Sequence, residues 1–257
     1  MNRTLYSLVF CAGALLVSTA FAAERTAEQI VEKNAAARGG LAAWRAVNSM
    51  SLAGDMDAGG KTEVRLPYVM SLQRSHKSRL EIRFQDQASV QTFDGKAGWK
   101  YRPYLGRTEA EPLSPAELNS LVATDELDGP LIDHARKGVK VELQGQEKIE
   151  GKDAYKLKLT PASGMSRNVW VDASSFLEVK IDGEPRKLDG RVHKVAVFYR
   201  DYKTVGGLNI PHTLETVVDG VKQTHKISVK TVTVNPKFDD SLFGKPLPAT
   251  AGRASAL

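Results

Sequence analysis

The sequence predicts a mainly β protein in which about eleven antiparallel strands form one curled sheet, accompanied by a few short helices. The first observation behind this is a change of period. Beyond Ser49 apolar side chains recur every second residue, most plainly in Arg79-Leu80-Glu81-Ile82-Arg83-Phe84. The second is punctuation: Asp94-Gly95, Glu150-Gly151, Asp182-Gly183 and Asp219-Gly220 lie between such runs and read as hairpin turns, since Gly takes positive φ at little steric cost. The third is composition. A chain of 257 residues, 42% hydrophobic and 26% charged with one Cys, excludes collagen, coiled coil, a disulfide-stapled miniprotein and wholesale disorder. Its net charge of +6, from 36 basic and 30 acidic residues, is a mild excess that does not choose a partner.

The elements follow in order. Arg3 precedes an apolar run from Leu5 to Val17 that ends in Ala20-Phe21-Ala22. This pattern is that of a secretory signal peptide over residues 1–22, cleaved near Ala22; an uncleaved anchor is the alternative. Phe10 fills the position where a lipoprotein signal needs a small residue, so Cys11 is expected to leave with the signal and the mature chain to hold no cysteine. Neither a linker nor a fixed repeat follows, and residues 23–257 are expected to form a single domain.

Thr26-Ala27-Glu28-Gln29 opens a helix with a capping box, Gly39-Gly40 stops it, and Leu41 to Val47 make a second helical stretch carrying Trp44. Strands are expected at 66–72, 79–84, 156–159, 177–181, 192–202, 212–219 and 224–234 among others. Ser114-Pro115-Ala116-Glu117 places an N-cap before a proline at the first helical position, and another helix is expected over 131–137. Alternation directs most of Leu80, Ile82, Phe84, Phe93, Trp99, Tyr101, Leu157, Leu159, Val169, Val171, Val179 and Ile181 to the inward face. Trp170 is out of phase with Val169 and Val171, so either the Trp or the two Val side chains face inward.

A sheet this wide curls, and side chains from so few helices hardly fill it. An apolar hollow, or alternatively a well-filled core, follows. The helix after Thr26, rich in Ala, suits either a weakly held lid over such a hollow or a fixed cap.

Four stretches carry a resemblance. Asp94-Gly95-Lys96 followed by Trp99-Lys100-Tyr101-Arg102-Pro103 resembles the D-G-K-x-x-W-x-Y-x-P hairpin of the periplasmic outer-membrane lipoprotein carrier (LolA-like) family. Trp170-Val171-Asp172 with the turn after it is similar to that family's W-[IV]-D strand. Pro236-Lys237-Phe238-Asp239-Asp240-Ser241-Leu242-Phe243 resembles the tail of its outer-membrane lipoprotein-sorting relatives, and Gly39-Gly40-Leu41 with Trp44 and Ser49 the opening of that branch. The resemblance implies a half-open β-barrel with an α-helical lid over a hydrophobic cavity, lined here by the twelve inward residues.

It further implies a periplasmic carrier that binds lipoprotein acyl chains or another lipid and delivers them toward the outer membrane. Its partners would be an inner-membrane lipid or lipoprotein exporter and an outer-membrane acceptor. A lipid- or lipoprotein-sensing envelope stress regulator, binding without transport, is the other reading. The family also places an important Arg before a Pro ahead of the strand that precedes the D-G-K hairpin. Arg74 stands there, followed by Ser75 instead of Pro.

Catalytic signatures are missing. His76, His134, His193, His212 and His225 show no metal-ligand spacing, and no G-x-S-x-G, P-loop or G-x-G-x-x-G occurs. The expectation is a monomeric binding protein, not an enzyme, without metal, cofactor or nucleic acid. Arg79, Arg83, Lys100, Arg102, Lys156, Lys158 and Lys180 read as outward and solvated, diluted by Glu81, Asp94 and Glu178, or alternatively as a surface for anionic head groups.

Overall fold

Thr26 caps the first helix as its sequence requires. Its hydroxyl accepts from the Gln29 amide while the Gln29 side chain accepts from the Thr26 amide, opening α1 (Ala27–Ala37). The computed structural model describes residues 25–57, 64–124, 126–162 and 165–247; the expected signal peptide lies outside them. Gly39 and Gly40 end α1 with positive φ, and Gly39 is required there, because a Cβ would lie 2.3 Å from the Gly207 carbonyl oxygen. A short α2 (Leu41–Arg45) follows.

The chain then enters β1 (Ser49–Asp57), β2 (Arg65–Gln73), β3 (Lys77–Phe84), β4 (Gln87–Phe93), β5 (Gly98–Tyr101) and the two-residue β6 (Glu111–Pro112). After α3 (Pro115–Thr124) come β7 (Lys140–Ile149), β8 (Lys152–Thr160), β9 (Arg167–Asp172) and β10 (Glu178–Leu188). The last three are β11 (Arg191–Val205), β12 (Leu208–Val218) and β13 (His225–Val234).

Among the described residues these thirteen strands, against about eleven expected, form one antiparallel sheet in the order β6-β5-β4-β3-β2-β1-β13-β12-β11-β10-β9-β8-β7. It consists of two meanders joined where β1 pairs with β13. The sheet is not closed. Its free edges are β6 and β7, which are consecutive in sequence, so the segment between them, α3 with residues 126–139, has to run from one edge to the other.

That segment departs from the sequence-based expectation. Residues 131–137 form successive turns and no helix, since Asp133 (φ 53°) and the flanking Gly129 and Gly138 sit at positive φ. Leu131 and Ile132 are nonetheless fully buried, Leu131 beneath α1 and Ile132 beneath α2. The expected turn at Asp182-Gly183 is also absent. β10 runs straight through it, with Gly183 opposite Val195, and reverses at Asp189-Gly190 (φ 48° and 76°). A side chain at Gly183 would strike Val195 at 2.7 Å, so close strand packing, and no turn, accounts for this glycine.

α1 is tied to the sheet by charge as well as by Ile30 and Val31. Arg38 donates to Glu178 of β10 at 2.9 Å with both side chains buried, and its Nε donates to the Asn209 carbonyl. Tyr202 donates to the Glu178 carboxylate, and the Arg38 guanidinium stacks over Trp44. The end of α1 is thus fastened to the sheet by buried polar contacts. Breaking a buried pair from one side strands the other charge, at about 3–5 kcal/mol, whereas replacing both with apolar groups is often neutral. Arg38→Met is therefore expected to lower the unfolding free energy in urea titrations by that amount, and Arg38→Met with Glu178→Met to restore most of it.

Candidate functional site

Cross-strand pairing assigns every sheet residue to a face. Met50 packs under α2 beside Trp44 and Ile132, and from Met50 the register carries the inner face through Leu72 to Ser78 and Phe93. Met70, Leu80 and Ile82 share that face. The helices α1, α2 and α3 all lie over it.

The inner face divides into a filled part and an open part. Leu157, Leu159, Val169, Val171 and Ile181, five of the residues expected to line a cavity, are packed together beneath Ile30, Val31 and Leu131. Phe93 is covered by Leu113, Leu118 and Leu121 of the α3 region. Between these blocks Met70, Leu80, Ile82, Leu214 and Ile227 are only half-buried, and Phe84 is 46% exposed. None of these six joins any of the four buried apolar clusters found among the described residues. Pairing puts them on one face toward the rim away from α2, where they form a partly uncovered apolar strip, the trough.

Three expected inward residues sit elsewhere. Trp99 pairs with Thr92 and Tyr101 with Val90, which puts both on the outer face, where they pack with Ala88, Val90 and Ala110. The hairpin decides this parity: Phe93 is opposite Gly98, so Gly98 and Lys100 take the inner side. Val179 is displaced by a bulge. Glu178 pairs with Val171 and Lys180 with Trp170, leaving Val179 as the extra residue and turning Glu178 inward to meet Arg38. Of the two alternatives at β9, the valines face in. Trp170 faces out, donating to Glu147 and stacked by Lys180 at 4.1 Å.

The basic strand residues are likewise not uniformly solvated. Lys100 points inward to Glu117, and Arg79 is buried on the outer face beneath the 236–244 tail, where it donates to the Leu242 carbonyl. A cavity of about 280 Å³ also opens on the outer side, among Ala53, Asp55, Pro67, Val69, Glu81 and Arg83 of β1 to β3 and Lys230 of β13. It is rimmed by paired charges and lies across the sheet from the trough.

Polar groups fasten the cover. Arg74, in the β2–β3 turn, donates to the carbonyls of Trp44 and Val47 at the end of α2 and to the buried Asp128 carboxylate at 2.8 Å. Asp128 also accepts from Lys137, which bonds Glu126 and the Gly129 carbonyl as well. One guanidinium thus joins the sheet to both α2 and the crossing segment. Ser75 and His76 have φ 70° and 60°, a turn closed to proline, whose φ is locked near −65°. Proline after Arg74 is thereby excluded.

α3 is held more lightly. Ser114 and Glu117 form its capping box, and Glu117 meets Lys100 at 2.6 Å. Gly98 lets the helix approach, since a Cβ there would come within 2.7 Å of Leu113 and 2.9 Å of Leu118. At the far side Ser120 donates to Glu184 of β10 at 2.6 Å. α3 therefore bridges the mouth between β5 and β10. Arg38, Asp128 and Lys137 carried no signal in the sequence, because the partners that define their roles are brought to them only by the fold.

Among the described residues no three His, Cys, Asp or Glu side chains group as a metal site, and no helix is long and apolar enough to cross a membrane.

Comparisons with known proteins bear on the fold. A model for a family described as "uncharacterized protein" matches residues 74–246. No curated protein is matched. Among solved structures, a LolA superfamily protein from Nitrosomonas europaea is 19% identical, with 86% of this chain and 99% of that one covered at a TM-score of 0.55. A protein domain described as outer-membrane lipoprotein-sorting, from Vibrio parahaemolyticus, is 13% identical, covering 88% and 97% at 0.56. A DUF1329 family protein from Desulfovibrio piger is also 13% identical, covering 85% and 97% at 0.57. The chain shares with them an open antiparallel barrel under a helical lid.

The lid contacts predict two outcomes. Arg74→Ala removes three charge-assisted bonds, each worth on the order of 1.5–3 kcal/mol, and is expected to speed amide exchange at 126–129 and at the end of α2 far more than in β8 or β9. Glu117 is held down to about 2 from 4.5, first by its bond from Lys100 and then by the Ser114 amide. A depressed carboxylate stabilises the fold above its unfolded value and loses that contribution as pH falls through the folded one. Local opening of α3, read from amide exchange corrected for the intrinsic pH dependence of the exchange rate, should thus rise between about pH 4.5 and 2, and Glu117→Gln should abolish that rise.

Proposed function

The chain belongs to the family whose model spans residues 74–246 and has the LolA-superfamily fold, and from this premise we propose that it is an exported, periplasmic carrier of acyl chains. The observation that carries the reading is the half-filled inner face. Large apolar side chains at Met70, Leu80, Ile82 and Phe84 stay partly uncovered on the side of the sheet that the lid spans. Such a surface is where an apolar guest gains most.

Of the twelve residues expected to face inward, Leu80, Ile82 and Phe84 would touch the guest directly, with Phe93 beneath the lid. The five packed under α1 would hold the wall rigid. Burying each methylene is worth about 0.8 kcal/mol, so a sixteen-carbon chain offers on the order of 12 kcal/mol. A fixed, complementary pocket would then release its cargo too slowly to pass it on. A lid that must be displaced offsets part of that energy. α3, held at the surface through Glu117 on Lys100 and Ser120 on Glu184, suits that role, while Arg74 holds α2 and the 126–129 segment in place.

The source of the cargo would be an exporter in the inner membrane and its destination an acceptor at the outer one; lipoprotein acyl chains and other lipids fit the same trough. Binding of a fluorescent fatty acid to the mature protein tests the reading. Ile82→Asp should weaken binding by about tenfold or more, the cost of an unpaired polar group in the trough. Val69→Asp, one residue from the trough-facing Met70 but on the outer face, should leave binding unchanged. Equal loss in both variants, or wild-type protein that binds no fatty acid, would reject the trough. Leu157→Asp should unfold the protein and is no test of binding.

A further inference from the structure

Among the described residues, the ribbon of β10 and β11 projects furthest along the chain beyond its paired neighbours. β9 pairs with β10 no further than Ile181, with the Asn168 amide reaching Asp182, and β12 pairs with β11 only from Val195 onward. Residues 184–192 thus continue as two strands beyond their neighbours on both sides, all of them exposed, while His193 and Lys194 meet Asp219 of the turn after β12.

The ribbon is unusual in what it exposes. Val192 is 73% and Leu188 39% exposed, at a tip where solubility alone would favour polar residues. Four basic residues, Arg186, Lys187, Arg191 and Lys194, surround them against the acidic Asp189 and Glu184, and Glu184 is engaged by Ser120. Among the described residues none of the four basic side chains forms an ion pair. Pairing sets Lys187 beside Val192 on one face and Arg191 beside Leu188 on the other. Each face therefore carries an apolar group flanked by a cation. That arrangement matches a bilayer surface, where apolar side chains enter the acyl boundary while cations meet lipid phosphates.

We propose that the β10–β11 ribbon is a docking finger for an anionic phospholipid bilayer. Its placement adds to the case. The antiparallel order puts the start of β11 and the end of β3 on one rim, so the finger and the exposed Phe84 share the mouth of the trough. The finger also holds α3 through Glu184, so the element that meets the membrane and the lid are joined at one contact.

The test is co-sedimentation of the mature protein with vesicles of phosphatidylcholine alone and of phosphatidylcholine with phosphatidylglycerol in equal amounts. Wild type should partition onto the anionic vesicles and not the neutral ones, and lose most of this at high salt. Arg186→Gln/Lys187→Gln/Arg191→Gln should lower partitioning on the order of a hundredfold, from about fivefold per cation. Val192→Asp should also lower partitioning, whereas Val192→Ala should lower it less. Arg107→Gln/Lys140→Gln/Lys148→Gln, with the same change of net charge at exposed sites away from the ribbon, should retain nearly all binding. Equal partitioning of wild type onto both vesicles, or equal loss in the two triple variants, would overturn the proposal. Fatty-acid binding by the same variants distinguishes a failure of the finger from a failure of the trough: the ribbon variants should bind the probe as wild type does.

Discussion

The architecture depends on one topological constraint. A single antiparallel sheet ends in two free edges, β6 and β7, that are adjacent in the chain, so the backbone must cross from one to the other. A crossing segment on the inner face closes the trough without closing the barrel. The lid is therefore a consequence of connectivity, and the sequence has only to decide how firmly it is held. Its buried polar groups make that decision, since unpaired ones would cost more than they stabilise.

Those groups are distributed unevenly. Arg38 and Glu178, with Tyr202 and the Asn209 carbonyl, bind α1 to strands β10 to β12 by contacts from which water is excluded. Arg74 and Lys137 converge on Asp128 and secure the middle of the crossing segment. α3 relies on half-exposed partners, Glu117 with Lys100 and Ser120 with Glu184. Local opening follows the weakest set of contacts, so the cover has a rigid part and a yielding part built from the same chain. The distinction is one of burial: breaking a pair shielded from water leaves a charge stranded, whereas water readily takes over from a partner at the surface.

Much of the fold was legible because it is local. The capping box at Thr26, the N-cap at Ser114, the Gly39-Gly40 stop and the hairpin turns at Asp94, Glu150 and Asp219 involve residues a few positions apart, and each formed where the sequence placed it. Facing was less legible, because a strand's parity is an absolute choice that one bulge reverses. The extra residue at Val179 sent Glu178 inward, and the Phe93–Gly98 register sent Trp99 and Tyr101 outward, although their own strands alternate faithfully. Gly183 shows the same limit: its dipeptide signals a turn, but the space it frees is filled by Val195 from the neighbouring strand. The trough was half legible for that reason. Alternation found Leu80, Ile82 and Phe84, while the contributions of Met70, Leu214 and Ile227 required knowing which strands meet.

This asymmetry also explains why a chain without cysteine in its described residues can leave part of its interior unfilled. Apolar surface that stays open contributes nothing to folding, so the stability must come from elsewhere in the same sheet. The block beneath α1 supplies it: Leu157, Val169 and Val171 are wholly buried, and Ile30 and Leu131 seal them from above. With that half close-packed and pinned by an internal ion pair, strands β1 to β4 can present Met70, Leu80 and Ile82 toward the mouth without collapsing onto one another. Strand pairing holds their backbones apart, and the outer face is braced by the 236–244 tail through Thr92 and Arg79. A hollow in a sheet persists only where something other than side chains fixes its width, and here the two braces, one on each face, do so.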